Sequence, residues 1–153
     1  MRKSRSLNRS LQERDELLEI YLEQLIQKSR DGAVTVVEGL RDAEALRGIG
    51  VTGTIICAKS GCESVSDSME RLANVKSELI LLTDFDRSGR ELLWRMARKL
   101  EQMGKIPNLH FWLKFNGLIS NCAKDIEGMI SYLQNGRRVI GGIQIESNST
   151  IGL

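Results

Sequence analysis

The spacing of apolar residues changes period several times along this chain. In residues 7–28, Leu7, Leu11, Leu18, Leu22, Leu25 and Ile26 fall at helical intervals, with Glu13, Arg14, Glu19 and Glu23 among the polar positions. This predicts an amphipathic helix, ended by the turn signal Asp31-Gly32. Residues 33–37 (AVTVV) are rich in β-branched side chains and read as a strand ending at Glu38-Gly39. Residues 41–47 predict a short helix closed by Gly48, and residues 53–58 (GTIICA) a second strand running into Lys59-Ser60-Gly61. Val65, Met69 and Leu72 again recur at helical spacing. Residues 79–83 (LILLT) are apolar up to the final threonine, as in a strand covered on both faces. Leu92, Met96, Leu100 and Met103 stripe a longer helix, stopped by Gly104 and Pro107. Residues 109–115 (LHFWLKF) are a fourth strand candidate, and Ile126, Met129, Ile130 and Leu133 mark a last helix ending at Gly136. The tail offers one short strand, at 138–140 or 143–145.

Strand and helix alternate regularly, which predicts an α/β fold with a mainly parallel four-stranded sheet flanked by helices. The expected organisation is a basic tail and amphipathic helix (1–30), one α/β domain (31–136) and a C-terminal tail (137–153). At 153 residues, with 41% hydrophobic and 27% charged residues, the chain suits a single globular core. Three cysteines without a CxxC pair, and one histidine, are a poor ligand set for structural zinc. They suit a reducing compartment, and no stretch has the form of a signal peptide or a membrane span, so a cytoplasmic location is expected.

The net charge of +2 does not announce a nucleic-acid binder, but its distribution is uneven. Arg2, Lys3, Arg5 and Arg9 load the start, and Arg87, Arg90, Arg95, Arg98 and Lys99 follow a pair of aspartates. Such runs mark either a solvated face or a phosphate-binding one. The first helix is expected either to pack on its own domain or to serve as a dimerisation or nucleic-acid-facing arm.

In open parallel sheets, ligands collect beyond the carboxyl ends of the strands. The residues expected there are Glu38, Lys59 with Ser60, Asp84 with Asp86, and Lys114 with Asn116. Carboxylates crowded on one rim repel, and a divalent cation relieves the repulsion. Magnesium prefers a few carboxylates together with water and phosphate oxygens.

The segments VVEGLRDAEAL (36–46) and LLTDFDRSGR (81–90) together resemble the Toprim domain, shared by bacterial-type primases, topoisomerases, recombination proteins and ribosomal-RNA maturation nucleases. The likeness spans roughly 33–127, and in overall form the chain is most similar to small stand-alone Toprim proteins of archaeal type. The resemblance implies a Rossmann-like Toprim fold and a magnesium ion, or manganese in its place, held by Asp84 and Asp86. Glu38 is implied as general acid or base, or as a further metal ligand. Gly39 and Gly89 would allow close approach of a phosphate, and Lys59, Arg87, Arg90 and Lys114 would contact nucleic acid. Asp42 matches the second acid of EGxxD, with helix capping as the alternative. Lys124-Asp125-Ile126-Glu127 resembles a further acidic motif of primases.

One departure separates the chain from topoisomerases, which carry a glutamate directly after the DxDxxG glycine, where Arg90 stands here. An EF-hand reading of the aspartates fails because its twelfth position is Arg95. The expected function is therefore magnesium-dependent cleavage of RNA or DNA. The alternatives are a non-catalytic nucleic-acid-binding module and primase-like nucleotidyl transfer. The expected partners are nucleic acid and, through the first helix, a second copy of the chain, with no membrane association.

Overall fold

A computed structural model describes residues 2–59 and 65–136. Ser60, Cys62 and the expected C-terminal strand lie outside the described residues, as do the side chains of Arg2, Lys3 and Arg5. The order of elements is α1 (Arg2–Arg30), β1 (Val34–Val37), α2 (Leu40–Gly48), β2 (Ile55–Cys57), α3 (Val65–Ala73), β3 (Leu79–Leu82), α4 (Arg87–Gln102), α5 (His110–Ile119) and α6 (Ile126–Gly136). The strands form one parallel sheet in the order β2-β1-β3. β1 is central, pairing Val37 with Cys57 on one side and with Leu82 on the other.

That order follows from the apolar runs. β1 and β3 are buried along their whole length, which requires cover on both faces. The helices supply it with Leu46, Leu72, Leu93, Phe115 and Ile126, all fully buried. The second half of α1 joins this core through Leu18, Leu22 and Leu25, whereas Leu7 and Leu11 continue the same stripe into solvent. Helix α1 then stops as expected at Asp31-Gly32, where Gly32 takes φ +105°, a conformation most side chains avoid.

The fourth strand is a correction. Residues 110–119 are helical, and only Asn108 reaches the sheet, through a single parallel bridge to Ile80. LHFWLKF alternates like a strand over seven residues, but over a longer window Phe111, Trp112, Phe115 and Ile119 share one helical face, and all four are buried. The Asn108 side-chain oxygen accepts the N–H of His110 at 2.8 Å, which turns the chain into the helix. Among the described residues the parallel sheet therefore has three strands.

The two readings of this segment bury different side chains. A strand would place Trp112 and Leu113 on opposite faces with Leu113 inward, but Trp112 is 1% exposed and Leu113 48%. Trp112→Ala is expected to cost about 3–5 kcal/mol in urea unfolding. Leu113→Ala should stay within about 0.5 kcal/mol of the parent. The reverse ranking would restore the strand.

Candidate metal centre

The three parallel strands end on one edge, and the ladder itself brings the first two functional side chains together. After Val37, the N–H of Ala58 bonds the Val37 carbonyl at 2.7 Å, and the N–H of Lys59 bonds the Glu38 carbonyl at 3.1 Å. This register sets Lys59 beside Glu38, and its ammonium lies 2.7 Å from Glu38 Oε1. The bond to Glu38, helped by the charges of Asp84 and Asp86, raises the Lys59 pKa. The other Glu38 oxygen, Oε2, accepts the backbone N–H of Asp84 at 2.8 Å. Buried Glu38 thus joins the ends of all three strands.

The loop from β3 to α4 is held at several points. Asp86 Oδ1 accepts the N–H of Gly89 at 2.8 Å and so caps α4. The hydroxyl of Thr83 donates to the Gly89 carbonyl at 2.7 Å. The Trp112 indole N–H donates to the Thr83 carbonyl at 2.9 Å, with the Asp84 carbonyl at 3.3 Å. Phe85 N–H bonds the Lys124 carbonyl at 2.6 Å, which draws the start of α6 against this loop.

That last contact brings in an acid from far along the chain. Carboxylate oxygens of Asp42, Asp84 and Asp125 lie within 4.8 Å of one another. Each of the outer two is oriented by helix N-termini. Asp42, in the first turn of α2, accepts the N–H of Glu127 at 3.0 Å, and the nearby backbone of Gly39 also favours its charged form. Asp125 Oδ1 accepts the N–H of Gly128 at 2.7 Å and caps α6. So Asp42 does cap a helix, and that helix is α6.

Burial, reinforced by crowded like charge, shapes the electrostatics. Burial, then the charges of Glu38, Asp42, Asp125 and Asp86, push the carboxyl of Asp84 up to about 7. Burial also raises Asp42, partly offset by the backbone bonds from Glu127 and Gly39. An all-carboxylate cluster of this kind fits a hard divalent cation, whose charge removes the repulsion that these oxygens exert on each other.

The expected site residues are distributed unevenly around this cluster. Asp84 is in it, while Glu38 and Asp86 border it with oxygens already engaged by Lys59, the Asp84 N–H and the Gly89 N–H. Arg87 and Arg90 are exposed on the first turn of α4; Arg87 pairs with Glu91 at 3.3 Å, and the Arg90 guanidinium lies 6.0 Å from the centre of the Trp112 ring. Lys114 is on α5 rather than at a strand end, and its ammonium lies 6.0 Å from the Tyr21 ring centre. Two residues of the cluster, Asp42 and Asp125, are not in the expected ligand set. Their sequence signals were the second acid of EGxxD and the KDIE run, but neither signal reveals that α6 returns to the end of β3.

The glycines differ in what they permit. A Cβ on Gly89 would stand 2.1 Å from the Asp84 carbonyl oxygen, whereas one on Gly39 would meet nothing within 4 Å. The close approach at Gly89 is therefore to the protein's own backbone. Gly89→Ala should cost at least about 1–3 kcal/mol in thermal or urea unfolding, and Gly39→Ala less than about 1 kcal/mol. Equal costs would remove this explanation for Gly89. A second expectation concerns pH. With its pKa raised from 3.8 to about 7 on folding, Asp84 holds its proton more tightly in the native state. Metal-free protein should therefore lose stability as pH rises through that interval, and Asp84→Asn should flatten the slope. Melting temperatures in chelator between pH 4 and 8 will test this, and parallel profiles for the two proteins would refute it.

A family model described as the Toprim domain matches residues 33–115, from the start of β1 into α5. A UPF0292 protein of Methanocaldococcus jannaschii is 36% identical over 123 residues, covering 78% of this chain and 94% of that protein. Another, from Methanosarcina acetivorans, is 31% identical over 126 residues, covering 82% of this chain and 86% of that one. A solved structure of a protein from Aquifex aeolicus shares the fold, with a TM-score of 0.59 at 23% identity over 74% of this chain and 95% of that one. Among the described residues, no helix is long and apolar enough to cross a membrane. With the match covering more than half of its length, this chain belongs to the Toprim domain family.

Proposed function

We propose that this protein performs magnesium-dependent phosphodiester chemistry on nucleic acid, with cleavage of RNA or DNA as the reaction. Family membership supports metal-dependent nucleic-acid processing as the general setting. The observation that carries the reading is the cluster of Asp42, Asp84 and Asp125, whose oxygens gather within 4.8 Å at the carboxyl edge of the sheet. These three aspartates would hold the ion, which when bound supplies Lewis-acid polarisation of a phosphate and an acidified water. Manganese, with similar oxygen preference, would serve in its place.

The remaining residues have roles that their contacts support. Glu38 fixes the backbone of Asp84 and becomes the general acid or base once Lys59 releases Oε1 to bind a phosphate. Lys59 is suited to that exchange because its side chain is 57% exposed while that of Glu38 is only 6% exposed. Asp86 holds the start of α4, so that Arg87 and Arg90 face the phosphate entering the rim. Leu7 and Leu11, which extend the buried stripe of α1 beyond the core, are where a second copy would pair.

One observation favours binding without turnover. Both Glu38 oxygens are engaged, by Lys59 and by the Asp84 N–H, which leaves the base unavailable until that ion pair opens. A module that grips phosphates through a metal would need no such opening.

The deciding experiment incubates purified protein with labelled RNA and DNA, single- and double-stranded, in magnesium or manganese and then in chelator. Metal-dependent cleavage is expected, and Asp84→Asn should reduce it by about 100-fold or more, since even residues behind a metal ligand cost 10–100-fold. Asp125→Asn should fall in the same range. Salt-sensitive binding without any cleavage would favour the binding module. Cleavage that persists in chelator would sink the metal assignment.

A further inference from the structure

Helix α4 begins at the acidic rim and leads away from it. Its inner face buries Leu92, Leu93, Met96 and Leu100. Its outer face carries Trp94, which is 43% exposed and, among the described residues, the most exposed of the tryptophans, tyrosines and phenylalanines. Arg90 and Arg98 stand four residues before and after it, on the same helical face. Arg95 and Lys99 form a second row beside them. Together with Glu91 and Gln102 these residues line an open groove of about 640 Å³.

The charge of this face is uncompensated. Glu91, the acid on it, pairs with Arg87 at 3.3 Å, and among the described residues Arg90, Arg95, Arg98 and Lys99 make no ion pair. A single exposed apolar residue is ordinary. An exposed indole between arginines one turn away on each side is a different surface, because it offers a flat π-face with phosphate-binding groups on both flanks. Other aromatic residues near the rim cannot offer that. Phe85, Phe111 and Trp112 are 3%, 2% and 1% exposed.

Resting on the nucleic-acid reading above, we infer that the outer face of α4 is a track for single-stranded nucleic acid, with a base stacked on Trp94 and phosphates held by Arg90, Arg98 and Lys99. A single strand is specified because only an unstacked base presents its face to an indole. Arg90 gives the track continuity with the metal centre: its guanidinium lies over the ring of Trp112, whose N–H bonds the end of β3. From Arg90 to Lys99 the helix rises about 14 Å. A strand lying along it would reach the acidic rim at the Arg90 end.

The test is binding in chelator, where cleavage cannot interfere. Labelled single-stranded and duplex oligonucleotides of equal length are titrated with parent protein, Trp94→Ala, Trp94→Phe and the double variant Arg98→Ala/Lys99→Ala. Trp94 and Trp112 are the two tryptophans, so quenching on binding reports chiefly on the exposed one. Trp94→Ala should weaken single-strand affinity by about 5- to 150-fold and leave duplex affinity unchanged, while Trp94→Phe should retain most of it. The double variant should lower the slope of log affinity against log salt by about 1.4. Unchanged single-strand affinity in Trp94→Ala would overturn the track. So would equal competition by polyglutamate of matched charge, which would assign the face to an acidic protein. If Trp94→Ala binds and cuts normally while Asp84→Asn cuts nothing, the track fails and the proposed reaction stands. If nothing is cut but Trp94→Ala loses binding, the track stands with the non-catalytic reading.

Discussion

The carboxylate of Glu38 accepts the backbone N–H of Asp84 across the gap between the ends of β1 and β3, at 2.8 Å. A buried acid can occupy that position because its other oxygen meets Lys59, which the β1–β2 ladder delivers to the same place. This contact sets the direction in which the chain leaves β3 and helps to place Asp84 relative to Asp42. The remaining restraints act on the same short segment: Trp112 on the carbonyls of Thr83 and Asp84, Thr83 on Gly89, and Phe85 on Lys124. Many strong backbone bonds converge on a loop of four residues. Such convergence fits a position that must hold like charges close together, because a looser loop would relieve the repulsion by moving apart.

Much of this was legible in the sequence, and the reasons differ from element to element. β3 announced itself because a strand buried on both faces is apolar at every position, and β1 because its residues are β-branched; both signals survive without knowledge of partners. The site edge followed from the same strands. By contrast, residues 109–115 misled because four apolar residues in alternation fit two periods over a window of seven, and the deciding residue, Ile119, lies outside it. Asp125 was visible as part of an acidic run but had no address, since nothing local specifies that α6 packs against α2 and presents its N-terminus to the end of β3. The DxD spacing pointed to Asp86 as a partner of Asp84 on the same loop. In the folded chain Asp86 turns to cap α4, and two acids from separate elements complete the cluster instead. Trp94 was hidden for another reason: an exposed tryptophan and a core tryptophan look alike until the helix is rotated onto its sheet.

The origin of the three clustered acids has a consequence for the molecule as a whole. Asp42 belongs to α2, Asp84 to the loop after β3, and Asp125 to the cap of α6. Held only by the protein, the cluster opposes its own assembly: burial makes Asp84 costly to ionise and the neighbouring carboxylates add to that cost, as the upward shift at Asp84 records. The backbone N–H groups of Glu127 and Gly128 offset part of that cost, and they do so only while α6 is docked. A cation bound among the three would reverse the sign of the interaction and tie α2, the sheet and α6 together. Metal affinity and the docking of α6 would then be linked quantities: whatever loosened α6 would weaken the hold on the ion, and the ion would in turn hold α6 in place. This linkage would be absent from a site built from the two aspartates of one loop, which could bind metal with no effect on the packing of distant helices.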